Sequence, residues 1–258
     1  MPPRSVTIHA GLRKCGSTTI QSWLRKNAAR LGTGYHVSSR DDLTRAWRQA
    51  AFAYVAKPDV AHRRDRLARE IDAAVDGFRG FDCDHLILSD ENLAGNRVRA
   101  RDGSTIIDWL CLVAEMTRAA MAERGMELMF VVYRRDTERF LRSAWHQAVV
   151  NNFETRSWAA WRARNALPDL GCLDDRLAGI DGLRFKVVSM EDELESGRHL
   201  GSAVLLAAGV PEDVVASLEP VSRENASLPE DKLNLIRRAN VVRAGRLLRP
   251  LLGEGHVA

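Results

Sequence analysis

His9-Ala-Gly11-Leu-Arg13-Lys14-Cys15-Gly16-Ser17-Thr18-Thr-Ile-Gln21-Ser-Trp-Leu24 decides how this chain is read. It follows a short apolar run, Val6-Thr-Ile-His9, and opens a segment in which Ile20, Trp23 and Leu24 recur at the spacing of a core-facing helix. Strand, glycine turn and helix in that order form a backbone device for anions. The glycines at 11 and 16 allow the chain to curl so that amide N–H groups converge, and Ser17 and Thr18 fall where helix-terminal donors and hydroxyls meet a charged oxygen. The product is a cradle of phosphate size.

Working outward, three more apolar runs read as buried parallel strands: His85-Leu-Ile-Leu88, Leu128-Met-Phe-Val-Val-Tyr133 and Leu183-Arg-Phe-Lys-Val-Val188. Helical spacing fills residues 17–30, 41–55, 60–77, 105–123 and 136–150 between them. Such alternation predicts an α/β fold with a parallel sheet flanked by helices, whose ligands bind outside the carboxyl ends of the strands. From about residue 190 the pattern turns helical, over 198–208, 212–218 and 230–248. No linker divides the chain, so a single domain over 1–258 is expected.

Composition narrows the function classes. With 258 residues, 45% of them hydrophobic, the chain has material for a full core. A net charge of +4 suits small polyanions and is too weak to indicate nucleic-acid binding. No membrane span and no secretory run are read, so a soluble, cytoplasmic protein is expected. Cys15, Cys83, Cys111 and Cys172 are scattered, without the spacing of a zinc site or a disulfide framework, and no metal site is expected.

The glycines at 11 and 16 match the spacing of the nucleotide loop GxxxxGK[ST], but Ser17 stands where that loop has its lysine, and Lys14 lies inside the turn. Two further elements carry polar chemistry. Leu88-Ser89-Asp90-Glu91-Asn92 ends an apolar run in an acidic pair. Tyr133-Arg134-Arg135 ends another, with Ser143 eight residues after Arg135. Arginine offers a planar fork for phosphate and serine a directional donor.

The run His9-x-Gly11-x-x-Lys14-x-Gly16-Ser17-Thr18-x-x-Gln21 resembles the sulfotransferases, in their bacterial, carbohydrate-sulfotransferase-like branch. That resemblance implies a P-loop-type sheet and a donor, 3'-phosphoadenosine 5'-phosphosulfate (PAPS), which leaves as the 3',5'-bisphosphate (PAP). It implies a donor site of Gly11, Arg13, Lys14, Cys15, Gly16, Ser17 and Thr18, with Arg135 and Ser143 on the 3'-phosphate. Cys15 departs from the Ser or Thr usual there. A carboxylate base is implied, with Glu91 preferred and Asp90 as the other choice, acting on a hydroxyl or amine of a small-molecule or glycan acceptor. Ser17 is expected to help orient Lys14. The segment Phe185-Lys-Val-Val-Ser-Met-Glu191-Asp-Glu193-Leu194 looks like the family's late strand and acidic turn, and Arg223-Glu-Asn225-Ala-Ser227 like a further donor loop. Two rivals stay open: a P-loop kinase or NTPase using Mg-ATP, with Asp90 near the metal, and a non-catalytic nucleotide-binding module.

Overall fold

The computed structural model describes residues 2–39, 43–221 and 228–241. In chain order the elements are β1 (Ser5–Ala10), α1 (Ser17–Asn27), β2 (Tyr35–Ser39), α2 (Arg45–Ala56), α3 (Ala61–Phe78), β3 (His85–Asp90), α4 (Ile106–Glu123), β4 (Glu127–Arg134), α5 (Thr137–Asn151), α6 (Trp158–Arg164), α7 (Leu173–Ala178), β5 (Arg184–Ser189), α8 (Met190–Glu195), α9 (Ser202–Ala207), α10 (Glu212–Ala216) and α11 (Glu230–Val241). The five strands form one sheet in the order β2-β3-β1-β4-β5, with every pairing parallel. The expected α/β architecture is the observed one.

The central strands owe their position to composition. Val6, Ile8, Leu86, Ile87, Leu88, Phe130, Val131 and Val132 are fully buried, as strands covered on both faces require. α1 buries Ile20, Trp23 and Leu24, and α4 starts from a reciprocal cap between Thr105 and Asp108. β2 is the strand that the sequence reading did not separate. It pairs only with β3, at the sheet edge, and its Tyr-His-Val-Ser-Ser composition lacks an apolar run.

By contacts the described chain divides into two compact units, residues 2–135 with 168–221, and residues 136–167 with 228–241. The first holds the whole sheet. Within it, the end of α1 is knitted to a much later segment: Asn27 donates through Nδ2 to the Glu219 carbonyl at 3.0 Å and accepts from the Glu219 amide at 2.9 Å. The second unit packs α5 against α6 and α11. Asn240 on α11 donates to the carbonyls of Val149 and Glu154, and the Arg142 guanidinium lies over the rings of Trp145 and Trp158. Trp145 and Phe140 are core residues here.

α11 begins where expected and is described to Val241; positions 242–248 of the expected helix, and the Arg223–Ser227 loop, lie outside the described residues. The helix expected over 198–208 is shorter, because Gly201 at φ 108° interrupts it and serves as the N-cap of α9.

Candidate active site

Strand order fixes where a ligand meets the first unit. β1 leads to β2 on one side of the sheet and β4 leads to β5 on the other, so the connections diverge at the β1–β4 pair. The carboxyl ends there are where open α/β sheets place their ligands. Three of the sequence elements come together at adjacent strand ends: residues 11–16 after β1, Glu91 after β3 and Arg135 after β4.

The turn after β1 owes its shape to two left-handed residues, Lys14 at φ 72° and Gly16 at φ 79°. For a lysine that conformation is strained by roughly 1–2 kcal/mol, and such strain gathers at functional positions. Gly16 is required twice over. Its φ disfavours any side chain, and a Cβ would lie 2.2 Å from Leu200 Cδ2, which with Met190 backs the turn. Gly11 differs: its φ is not positive, and a Cβ would make ordinary contacts with Val132 and the Tyr133 amide.

Gly16 caps α1, and no side chain caps this helix in return. Among the described residues, the N–H groups of Gly16, Ser17 and Thr18 donate to no backbone carbonyl. Helix N-termini leave such donors for an outside acceptor. Ser17 Oγ is also buried without a hydrogen-bond partner, so it does not bond Lys14 here. A buried hydroxyl without a partner costs roughly 1–3 kcal/mol unless something completes it. These groups fit a tetrahedral anion. Thr18 is exposed, whereas Cys15 is fully buried and its thiol is pushed up to about 12 by burial, with Arg135 opposing. Its side chain is a core group, which leaves the backbone as the part able to meet a ligand.

Arginines brace this turn. Arg135 Nη1 donates to the Lys14 carbonyl at 3.1 Å, and its Nε lies 3.6 Å from Glu191 Oε1. Arg13 Nη1 reaches the Asn96 carbonyl at 3.3 Å, joining the turn to the segment beyond β3. Ser143 lies on α5 in the second unit, partly exposed.

Asp90 and Glu91 have opposite surroundings. Asp90 is fully buried and accepts from Thr44 Oγ1 at 2.8 Å, from Arg48 Nη1 and from the Asn92 amide. Burial pushes its carboxyl up, while Arg48, Thr44 and Asn92 pull it back. Glu91 is half-buried and is held by two neutral amides: Gln21 Nε2 at 2.6 Å on Oε2 and Asn92 Nδ2 at 2.9 Å on Oε1. Of the two carboxylates, Glu91 is the less buried and the one held by neutral amides, whereas Asp90 is paired with Arg48. The sequence reading gives no role to Gln21, Thr44 or Arg48, whose contacts come from tertiary packing, nor to Asn92, whose contacts with Glu91 and Asp90 are local.

Behind these turns lies a row of satisfied polar groups. His9 Nδ1 bonds Ser89 Oγ at 2.7 Å, and its ring meets Tyr133 edge-on. Burial pulls the His9 imidazole down to about 4, with Glu91 opposing, so the ring is neutral near pH 7 and serves structure. Tyr133 donates to Glu193 Oε2 at 2.7 Å, and the Glu193 carboxylate also accepts from the amides of Gly201 and Ala203. Glu193 thereby anchors the stretch that brings Leu200 against Gly16.

Among the described residues no cluster of three or more His, Cys, Asp or Glu side chains is assembled for a metal ion, and no helix is long and apolar enough to cross a membrane. No protein-family model matches the chain, and no curated relative matches it. Among solved structures, the chain is similar to the crystal structure of a sulfotransferase from Alicyclobacillus acidocaldarius, with 14% identity, 96% of each chain covered and a TM-score of 0.49.

Proposed function

We propose that this chain is a sulfotransferase that moves a sulfuryl group from PAPS to a hydroxyl or amine of a small-molecule or glycan acceptor. The observation that carries the reading is a pairing at neighbouring strand ends: a turn whose donors await an anion, and a carboxylate held ready beside it. PAPS supplies, when bound, a sulfuryl group on a phosphate leaving group.

The chain's residues suit the rest of the chemistry. The amides of Gly16 to Thr18 and Ser17 Oγ fit the 5'-phosphate, and Lys14 suits the negative charge that grows on the leaving oxygen. Glu91 accepts the acceptor's proton while transfer proceeds in line. Gly11 allows close approach along the turn, and Arg13 and Cys15 contribute through their places in it. Arg135 steadies the turn through Nη1, and the rest of its fork, with Ser143, serves the 3'-phosphate. The phosphotransferase reading needs Asp90 for magnesium, and Asp90 is occupied by Arg48, Thr44 and the Asn92 amide.

Ligand-induced stabilisation tests the reading. PAP at about a hundred times its Kd should stabilise the protein by roughly 2.7 kcal/mol. That amounts to on the order of 5 to 10 °C in Tm. ADP at the same concentration should give a much smaller shift, without any need for magnesium. Both Arg135→Ala and Ser143→Ala should shrink the difference between the two nucleotides; Ser143→Ala does so without loosening the turn. If ADP, or ATP with magnesium, stabilises the protein as well as PAP does, the phosphotransferase reading replaces this one.

A further inference from the structure

We infer that Gln21 is a positioning residue that locks the base to the donor turn, an inference that rests on the sulfotransferase reading. Gln21 lies four residues after Ser17 on α1, so the two share a helix face about 6 Å apart along the axis. Ser17 faces the anion cradle with an unpartnered hydroxyl. One turn later, Gln21 Nε2 reaches Glu91 Oε2 at 2.6 Å and the Ser89 carbonyl at 3.3 Å. Both partners are acceptors, which fixes the orientation of the Gln21 amide: its nitrogen, not its oxygen, faces β3.

The helix that begins at the donor turn therefore also sets the position of the carboxylate. Its first residue meets the anion and its fifth holds the base, so a rigid turn of helix fixes the separation between leaving group and acceptor proton. Transfer rates depend steeply on such distances. The chemistry of the lock matters too. An arginine or lysine in the place of Gln21 would hold the carboxylate as firmly, but its full charge would weaken the carboxylate as a base; a neutral amide orients it without that penalty. Asp90, one residue away, shows the other arrangement, with Arg48 as its partner. A carboxylate oxygen accepts more than one hydrogen bond, so the amides of Gln21 and Asn92 leave Glu91 room for a substrate proton.

A double-mutant cycle over Gln21→Leu and Glu91→Ala tests this on the full chain, with two readouts. The first is release of PAP from PAPS, with water and with a phenol, an alkyl glycoside and an alkylamine as acceptors. Gln21→Leu should lower kcat by about 10- to 100-fold, leaving the donor KM and PAP affinity within about twofold. In the Glu91→Ala background the same substitution should change kcat by less than about threefold, since the residue it positions is gone. The second readout is the urea midpoint of the four proteins, which reports the contact without any turnover; the two substitutions should be non-additive there. Additive midpoints overturn the inference whatever the activity. Non-additive midpoints with additive kcat losses, or a parallel loss of PAP affinity in Gln21→Leu, overturn the positioning role. Wild-type protein that releases no PAP with any of these acceptors, yet shows coupled midpoints, overturns the sulfotransferase reading and leaves the contact standing.

Discussion

The turn after β1 and the turn after β3 sit side by side in one sheet, yet one is left open and the other is closed. After β1, the amides of Gly16 to Thr18 and the Ser17 hydroxyl have no partner among the described residues, and Lys14 is held in a strained conformation. After β3, both oxygens of Glu91 and the carboxylate of Asp90 accept hydrogen bonds from within the fold. The difference assigns work to each. A turn short of acceptors is completed by an anionic ligand, whereas a turn supplied with donors is fixed before any ligand arrives. Stability should be concentrated in the second and function in the first, with Glu91 as the exposed edge of the stable one.

Breaking the closed turn should give the largest effect. Asp90→Ala removes a buried ion-pair partner of Arg48 and the acceptor of Thr44 Oγ1 and the Asn92 amide, and should destabilise the protein by about 3 to 5 kcal/mol in urea unfolding. Glu91→Ala, half-exposed and paired only with amides, should stay within about 1 kcal/mol of wild type. Equal losses would erase the distinction drawn between the two carboxylates.

The seam between the turns offers a pH test. His9 on β1 bonds Ser89 on β3, and its folded-state value of about 4 lies below the ordinary 6.5. Above pH 6.5 neither state holds the proton. As pH falls from 6.5 towards 4, the unfolded chain takes up a proton that the folded one refuses, so stability is lost across that window, by up to about 3 kcal/mol. Comparing urea unfolding at pH 7 and pH 4.5, wild type should lose more stability than His9→Asn, whose difference isolates the imidazole from the carboxylates that also titrate. Identical pH dependence in the two proteins would mean that the ring is not buried neutral.

The open turn should separate function from stability. Lys14→Gly relieves the left-handed strain and should leave the fold no less stable, by up to about 1 kcal/mol more so. Turnover of PAPS should nevertheless fall a hundredfold or more, equivalent to roughly 2.7 kcal/mol of lost transition-state stabilisation. A variant that is both stable and near wild type in rate would remove Lys14 from the chemistry.

Much of this was legible in the sequence, for identifiable reasons. The strands β1, β3 and β4 read as apolar runs because parallel strands inside a sheet are buried on both faces; of the two edge strands, β5 could still be read from Phe185, Val187 and Val188, whereas β2 offers Val37 as its one aliphatic residue. The glycine turn through Lys14 and Gly16 and the start of α1 at Ser17 could be read because local backbone geometry is encoded by near neighbours. The choice between Asp90 and Glu91 depends on Thr44 and Arg48, more than 40 residues earlier, and on Gln21, 70 residues earlier. No spacing within Ser-Asp-Glu-Asn reveals which carboxylate an arginine will claim. Arg135 shows the same limit: sequence identifies the guanidinium, while its bond to the Lys14 carbonyl exists only once β1 and β4 are neighbours.

The knitting of Asn27 to Glu219 places this donor turn on a clock. The residues that look most complete as a motif, 9 to 24, are made well before their backing: Leu200 against Gly16, Glu193 to anchor that stretch, and Glu219 to close the last turn of α1. Contacts separated by nearly 200 residues form late in synthesis, and chains that depend on them gain native structure only after the partner segment has emerged. A nascent chain halted at about residue 180 would carry Lys14, Ser17, Glu91 and Arg135 and still lack the wall that gives the turn its shape. The shape of this turn is therefore withheld until the segment from Glu193 to Glu219 has been made.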